Sequence, residues 1–368
     1  MIAIIVGTTA ELIKVAPVYH ELTSRGRSCE FWYTGQHVAE LAETLEDLQL
    51  PKPAVWLVPE ESAINVARTS QVPGWVARLV TTTTRRRREL RRRLASDGRP
   101  AIVLVHGDTF TAPIGAVIGR LLGARIGHVE AGMRSGHLFQ PFPEEVNRRV
   151  AAHLVDVHFA PTQVEAGNLR RRRGVIVTTG ANTVIDAVRF ALEREAETPL
   201  DLPDTYGIAT LHRFELVRQE KLYRAVLETL AKYSATCPIV YFAGASERER
   251  LREFGLLDLF GDTFRLVDKL SYIEFLPVLA RAQFVVTDSG GLQEESYHLG
   301  LPCAVHRTHT ERMNGEGRSM VLTRYDQRIL RDFLVRHDEY TGQRLIDDVH
   351  PSRIVADTIE LLDSAAKA

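Results

Sequence analysis

The chain has 368 residues, 45% of them hydrophobic and 25% charged, with a formal net charge of −1. That length exceeds the roughly 100–200 residues of one domain, so two are expected. The charge balance excludes the global positive field of a nucleic-acid or anionic-membrane binder. Cys29, Cys237 and Cys303 are far apart and form neither a CxxC pair nor a zinc spacing, which fits a reducing compartment. The apolar N-terminus lacks a signal-peptide pattern, and no run approaches the ~18 apolar residues of a membrane span. A cytoplasmic protein is expected, with no nucleic acid and no membrane as partners.

Taken in order, residues 2–6 read as a buried strand closed by Gly7-Thr8-Thr9. A helix is predicted over 11–25, with Lys14 near the strand end, where it meets a phosphate or lies on a solvated face. A short strand at 31–33 ends in Thr34-Gly35-Gln36-His37, and a helix runs on towards Leu50. The long helix predicted over 71–95 carries arginines at 85–88 and 91–93. No aromatics interleave with them, so they read as a solvated face rather than a polyanion patch. Strand 101–105 leads to His106-Gly107-Asp108-Thr109, helix 111–122, and strand 125–129 ending at Glu130-Ala131-Gly132. Glu144-Glu145-Val146-Asn147-Arg148-Arg149 heads the next helix, and strands at 155–160 and 175–178 enclose a basic helix. Strands alternating with helices over this length predict a parallel, doubly wound sheet.

The alternation then restarts, with strand 208–211 ending at His212-Arg213, helix 218–233, strand 239–242 and a short apolar segment at 264–266. Helix 271–281, strand 283–287, helix 291–299 and strand 302–305 follow, with helices near 326–336 and 351–364. The division is placed between Arg170 and Arg194, around Gly180-Ala181-Asn182-Thr183. This gives an N-terminal Rossmann-like domain over 1–175 and a C-terminal one over 176–350, with the helix at about 351–368 packing back on the first. The expected fold class is α/β: two doubly wound parallel-sheet domains facing a cleft, with ligands at the carboxyl ends of strands.

Val285-Val286-Thr287-Asp288-Ser289-Gly290-Gly291-Leu292-Gln293-Glu294-Glu295 is the most informative stretch. An apolar strand stops at Asp288 and Ser289, both good helix N-caps, and two glycines open a helix. The first N–H groups of such a helix lack internal partners and carry the positive end of its dipole, so the turn can seat a phosphate. Glu294 and Glu295 lie one turn along, within reach of a hydroxyl on the phosphate's carrier. Asp108, Glu130 and Glu144 gather at consecutive strand ends. Carboxylates placed together repel and are raised by burial, a route to an acid and a base in one site. His212 is placed to donate to a leaving phosphate, or else is a core histidine; Arg312 suits a bidentate phosphate contact. No Ser-His-Asp set, zinc motif or GxGxxG after the first strand is present.

Together these blocks resemble the non-hydrolysing UDP-N-acetylglucosamine 2-epimerases, which have the GT-B architecture. The resemblance runs along essentially the whole chain, through Gly7-Thr8…Lys14, Thr34-Gly35-Gln36-His37, His106-Gly107-Asp108-Thr109, His128-Val129-Glu130-Ala131-Gly132-Met133-Arg134, Pro143 to Arg148, His212-Arg213, Thr287 to Glu295 and Thr310-Glu311-Arg312. It implies reversible conversion of UDP-GlcNAc to UDP-ManNAc by anti elimination of UDP and re-addition, with no metal or nicotinamide cofactor. It implies catalytic roles for Asp108, Glu130, Glu144 and His212. UDP binding falls to Ser289, Gly290, Gly291, Glu295 (on the ribose) and Arg312, with Phe275 near the uracil. Lys14 and Arg148 match further active-site positions. A homodimer is implied too, and an allosteric substrate site near Gln36 and His37.

This chain departs from the pattern in places. Thr9 stands where the family has an arginine, Leu216 replaces the asparagine of His-Arg-x-Glu-Asn, and Met313-Asn314 replace Pro-Glu after Arg312. Ala181 is inserted in a Gly-Asn-Thr turn, and Val38-Ala39 replace a polar pair after His37, so allosteric activation is expected to be weak or absent. A hydrolysing 2-epimerase, a GT-B glycosyltransferase using a UDP-sugar and a non-catalytic nucleotide-sugar-binding protein are the alternative readings.

Overall fold

The computed structural model describes residues 1–36, 40–59, 71–136, 142–194, 200–310 and 315–365. It divides into two units, Met1–Ala187 with Val349–Ala368, and Val188–Asp348. In the first, Ile2–Val6 (β1) is apolar throughout and buried along its length, as a strand covered on both faces must be. It pairs in parallel with Cys29–Tyr33 (β2) on one side. Val55–Trp56 (β3) extends the sheet beyond β2. On the other side β1 pairs with Ile102–His106 (β4). Arg125–Val129 (β5), Val157–Ala160 (β6) and Val175–Thr178 (β7) follow, giving the order β3-β2-β1-β4-β5-β6-β7. Because β7 pairs with β6, the stretch beyond residue 175 still belongs to the first sheet. The division falls between Ala187 and Val188.

The second unit repeats the plan. Gly207–Thr210 (β8), Ile239–Ala243 (β9), Phe264–Asp268 (β10), Val285–Thr287 (β11), Cys303–Val305 (β12) and Met320–Leu322 (β13) form a parallel sheet in the order β10-β9-β8-β11-β12-β13. In both sheets the order reverses at one place: between β1 and β4 in the first, and between β8 and β11 in the second. Adjacent loops there leave on opposite faces and open a crevice, where doubly wound sheets bind ligands. One core packs around β1 and β4, with Trp75 and Leu79 of the long helix Val72–Leu94 buried in it. The other centres on β8, β9 and β11.

Most predicted elements are present within a few residues. The strands β3 and β13 and the helices Val184–Leu192 and Ala245–Glu253 were not foreseen. The arginines of the long helix do more than face solvent. Arg87 Nε and Arg91 Nε donate to the carbonyls of Leu121 and Leu122, and so cap the end of the helix Thr111–Leu122. The final helix, Pro351–Ala365, lies against Thr9–Ser24 in the first unit, with Arg25 held 2.5 Å from Asp357. Among the described residues no helix is long and apolar enough to cross a membrane.

Candidate active site

In the first unit the polar groups stand at the switch point. After β1 the chain turns through Gly7 and Thr8 into the helix Thr9–Ser24. Thr8 Oγ1 accepts from the Glu11 N–H at 3.2 Å, while Glu11 Oε2 accepts from Gly7 N at 2.7 Å and Thr8 N at 3.0 Å: a capping box. The other Glu11 oxygen accepts from Thr109 Oγ1 at 2.6 Å, which ties the turn after β1 to the turn after β4. Burial pushes the Glu11 carboxyl up to about 7, against the opposing pull of the Thr109 hydroxyl and the backbone N–H groups.

One turn along that helix, Lys14 Nζ lies 2.7 Å from Glu130 Oε2. Glu130 follows β5 directly, is buried, and holds φ at 63°, a left-handed backbone that non-glycine residues adopt at a cost of about 1–3 kcal/mol. The His106 ring nitrogen Nε2 stands 3.1 Å from the same carboxylate oxygen. Burial lowers the His106 pKa, opposed by that carboxylate. His128 Nε2–H donates to the Gly107 carbonyl at 2.7 Å, and its imidazole is pushed down to about 4 by burial, so the ring is a neutral brace for the β4 turn.

Asp108 pairs with Arg148 Nη2, and its backbone carbonyl accepts from Asn147 Nδ2 at 2.9 Å. Both partners lie on the helix Glu144–Leu154, with Glu144 in its first turn. Glu145, fully buried, holds Arg149 at 2.8 Å and accepts from the Ser135 N–H at 3.1 Å. Gln36 Oε1 accepts from Thr111 Oγ1 at 3.1 Å, at the head of the helix that follows the Asp108 turn.

In the second unit Ser289 is the N-cap of the helix Gly290–Leu299, its Oγ accepting from Leu292 N at 3.3 Å. Among the described residues, a Cβ placed on Gly291 would meet only the Ser289 hydroxyl, 3.8 Å away. Asp288 turns inward instead of capping: its carboxylate accepts from the N–H groups of His212, at 3.1 and 3.0 Å, and Arg213, at 2.9 Å. Glu294 and Glu295 are buried in the same helix. Burial first, and the Glu295 carboxylate second, raise the Tyr272 phenol well above its ordinary value. Phe275, on the helix Tyr272–Arg281, meets Phe242 edge to face at 5.1 Å. Thr310 Oγ1 donates to Gln293 Oε1 at 2.7 Å, bringing the start of Thr310-Glu311-Arg312 beside the glycine turn.

The structure thus joins Lys14 to Glu130, Asp108 to Arg148, and His212 to the Ser289 turn through Asp288. His37 and Arg312 lie outside the described residues. Sequence reasoning gave no role to Glu11, His106, Thr109 or Glu145, and read Asp288 as a cap. The spacing Thr8-x-x-Glu11 was a usable signal for a capping box; the others depend on partners far along the chain. Among the described residues no group of three or more His, Cys, Asp or Glu side chains is placed to hold a metal ion.

Two Rossmann-like sheets, each with its polar groups at the switch point, define a GT-B protein, and residues 20–334 match the family model described as UDP-N-acetylglucosamine 2-epimerase. The chain belongs to that family. It is 32% identical over 334 residues to the UDP-N-acetylglucosamine 2-epimerase of Methanococcus maripaludis, covering 84% of each chain. The crystal structure of the Methanocaldococcus jannaschii UDP-GlcNAc 2-epimerase in complex with UDP-GlcNAc and UDP superposes with a TM-score of 0.74 at 26% identity, covering 98% of this chain and 99% of that one. A spinosyn rhamnosyltransferase, at a TM-score of 0.55 and 16% identity over 98% of this chain and 99% of its own, shares the fold alone.

Proposed function

We propose that the protein is a non-hydrolysing isomerase that interconverts UDP-GlcNAc and UDP-ManNAc, acting in the cytoplasm as a homodimer. A base removes the C2 proton as the bond from C1 to the diphosphate oxygen breaks, leaving 2-acetamidoglucal and UDP. UDP then adds back at C1, and C2 takes a proton on its other face. The C2 proton is weakly acidic, so the base must be close and the departing diphosphate must meet positive potential. Asp108, Glu130 and Glu144 supply the acid–base groups. Lys14, Arg148 and His212 supply the cationic and donor groups. The Ser289-Gly290-Gly291 turn and Arg312 hold the diphosphate, Glu295 the ribose, and Phe275 lies beside the uracil.

The observation that carries this reading is the pairing of acids with cations at one switch point: Lys14 on Glu130 and Arg148 on Asp108. A carboxylate matched to a cation stays ionised when it is partly buried, and so is in the form that can take up a proton. Incubation with UDP-GlcNAc in D2O, followed by NMR, tests the proposal. Deuterium at C2 together with UDP-ManNAc is the expected result. Free ManNAc would make the enzyme a hydrolase, and neither exchange nor product would leave a binding protein. Glu130→Gln and Asp108→Asn should each lose roughly 100-fold in turnover while calorimetry shows UDP still bound. Near-normal rates would remove those residues from the chemistry.

A further inference from the structure

Asp288 is wholly buried at the second switch point, while the His212 side chain is 42% exposed. The carboxylate accepts from the backbone N–H groups of His212 and Arg213, and its Oδ1 also stands 3.2 Å from His212 Nδ1, within reach of a hydrogen bond once the ring turns to align its N–H. Arg213 Nε returns a hydrogen bond to the Asp288 carbonyl at 2.9 Å. Behind this turn, Tyr241 Oη donates to the Leu211 carbonyl at 3.1 Å and meets Tyr223 Oη at 2.7 Å. The hydroxyls of Thr210 and Thr287 lie 2.9 Å apart and join the two strand ends. The His212 backbone is therefore held from three sides, which leaves ring rotation as its main freedom.

An ionised carboxylate only accepts hydrogen bonds, so a neutral imidazole nitrogen that bonds to it must carry the ring proton. We propose that Asp288 is a positioning residue for His212: it holds Nδ1–H toward itself, so that the imidazolium gives its Nε2 proton to the departing diphosphate, is left as the neutral Nδ1–H ring, and takes that proton back on Nε2 as UDP re-adds. A base whose orientation is set by a buried acid is a recurring arrangement in proton transfer. The functional part rests on the epimerase reading above. The tautomer does not, because it is a property of the free protein.

The bland alternative is that Asp288 clamps the turn and the ring is incidental. Asp288→Asn separates the two. The amide oxygen can keep the backbone bonds, while the amide NH2, facing Nδ1, must donate to it and so drive the ring proton to Nε2. Long-range 15N–1H NMR on the full chain, at a pH where His212 is neutral, reads the tautomer directly. The expected result is Nδ1–H in the native protein and Nε2–H in Asp288→Asn. Turnover should fall roughly 100-fold, with UDP affinity by calorimetry within about twofold. Nε2–H in the native protein overturns the proposal even if the variant does not fold. So does a variant that keeps turnover within about threefold, or one that loses UDP affinity in step with turnover while its ring keeps Nδ1–H. Absence of epimerase activity in the native enzyme would remove the functional reading and leave the tautomer result standing.

Discussion

Glu11 shows how one side chain can serve two turns. It closes a capping box on its own helix and reaches across to Thr109, beside Asp108. The spacing of the box was legible in the sequence, but the bond to Thr109 was not, because it joins residues 98 apart. Lys14 posed the same difficulty: a lysine in the first turns of a helix reads as a solvated group or a phosphate ligand, and its ion pair with Glu130, a residue 116 positions away, is visible only in three dimensions. Glu11 also links the site to pH. Its folded pKa is raised from 4.5 to about 7, so between those values the unfolded chain gives up a proton that the native one keeps. The stability that this proton contributes is fully present below pH 4.5 and is lost as pH rises through about 7. For a shift of this size the loss is on the order of 3 kcal/mol. Glu11→Gln can keep the backbone bonds with its amide oxygen and donate to Thr109, but it does not titrate. Urea unfolding at about pH 5 and about pH 8 should therefore show a smaller fall in stability for the variant than for the native chain. Equal falls would mean that Glu11 is solvated and titrates normally.

At the scale of elements, long apolar strands and amphipathic helices were readable from period and composition. The two missed strands share a cause. Val55–Trp56 has two residues and Met320–Leu322 three, too few to show a period, and both extend the sheets at β2 and β12. Asp288 was misread because its sequence neighbourhood suits a cap, whereas its partners, His212 and Arg213, arrive from another strand. Packing at the β1 turn makes a further demand visible only in three dimensions. A Cβ on Gly7 would sit 2.3 Å from the hydroxyls of both Thr34 and Thr111, and 3.1 Å from Gln36 Cβ. Gly7→Ala must push the β2 end or the helix Thr111–Leu122 away, which costs about 1–3 kcal/mol in a filled core. Displacement of Thr111 also loosens the chain just after Asp108, so turnover should fall along with the urea midpoint. A stability loss below about 0.5 kcal/mol would mean that the threonine hydroxyls rotate aside freely.

For the molecule as a whole, the two sheets share one strand order, and the sequence hinted at this by restarting its alternation near residue 208. Less legible was how the chain's last helix is fixed to the first unit. Val355, Ala356 and Ile359 are buried, but the specific tie is an ion pair between Arg27 and Asp363, with side chains 1% and 10% exposed. Arg25 makes a second pair with Asp357, whose side chain is 54% exposed. These two pairs should behave differently. Removing Asp363 leaves a guanidinium buried without its counter-charge, and breaking a buried pair in that way costs about 3–5 kcal/mol. Removing Asp357 takes away an exposed carboxylate and leaves Arg25 paired with Glu21 and Glu360, and costs less than about 1 kcal/mol. Denaturant unfolding of Asp363→Ala and Asp357→Ala should show that ranking, and similar losses would mean that water reaches Arg27. Below its unfolding transition Asp363→Ala should still bind UDP with native affinity, because the glycine turn proposed to hold the diphosphate belongs to the other unit. A loss of UDP affinity in the folded variant would place part of the nucleotide site in the unit that this helix completes.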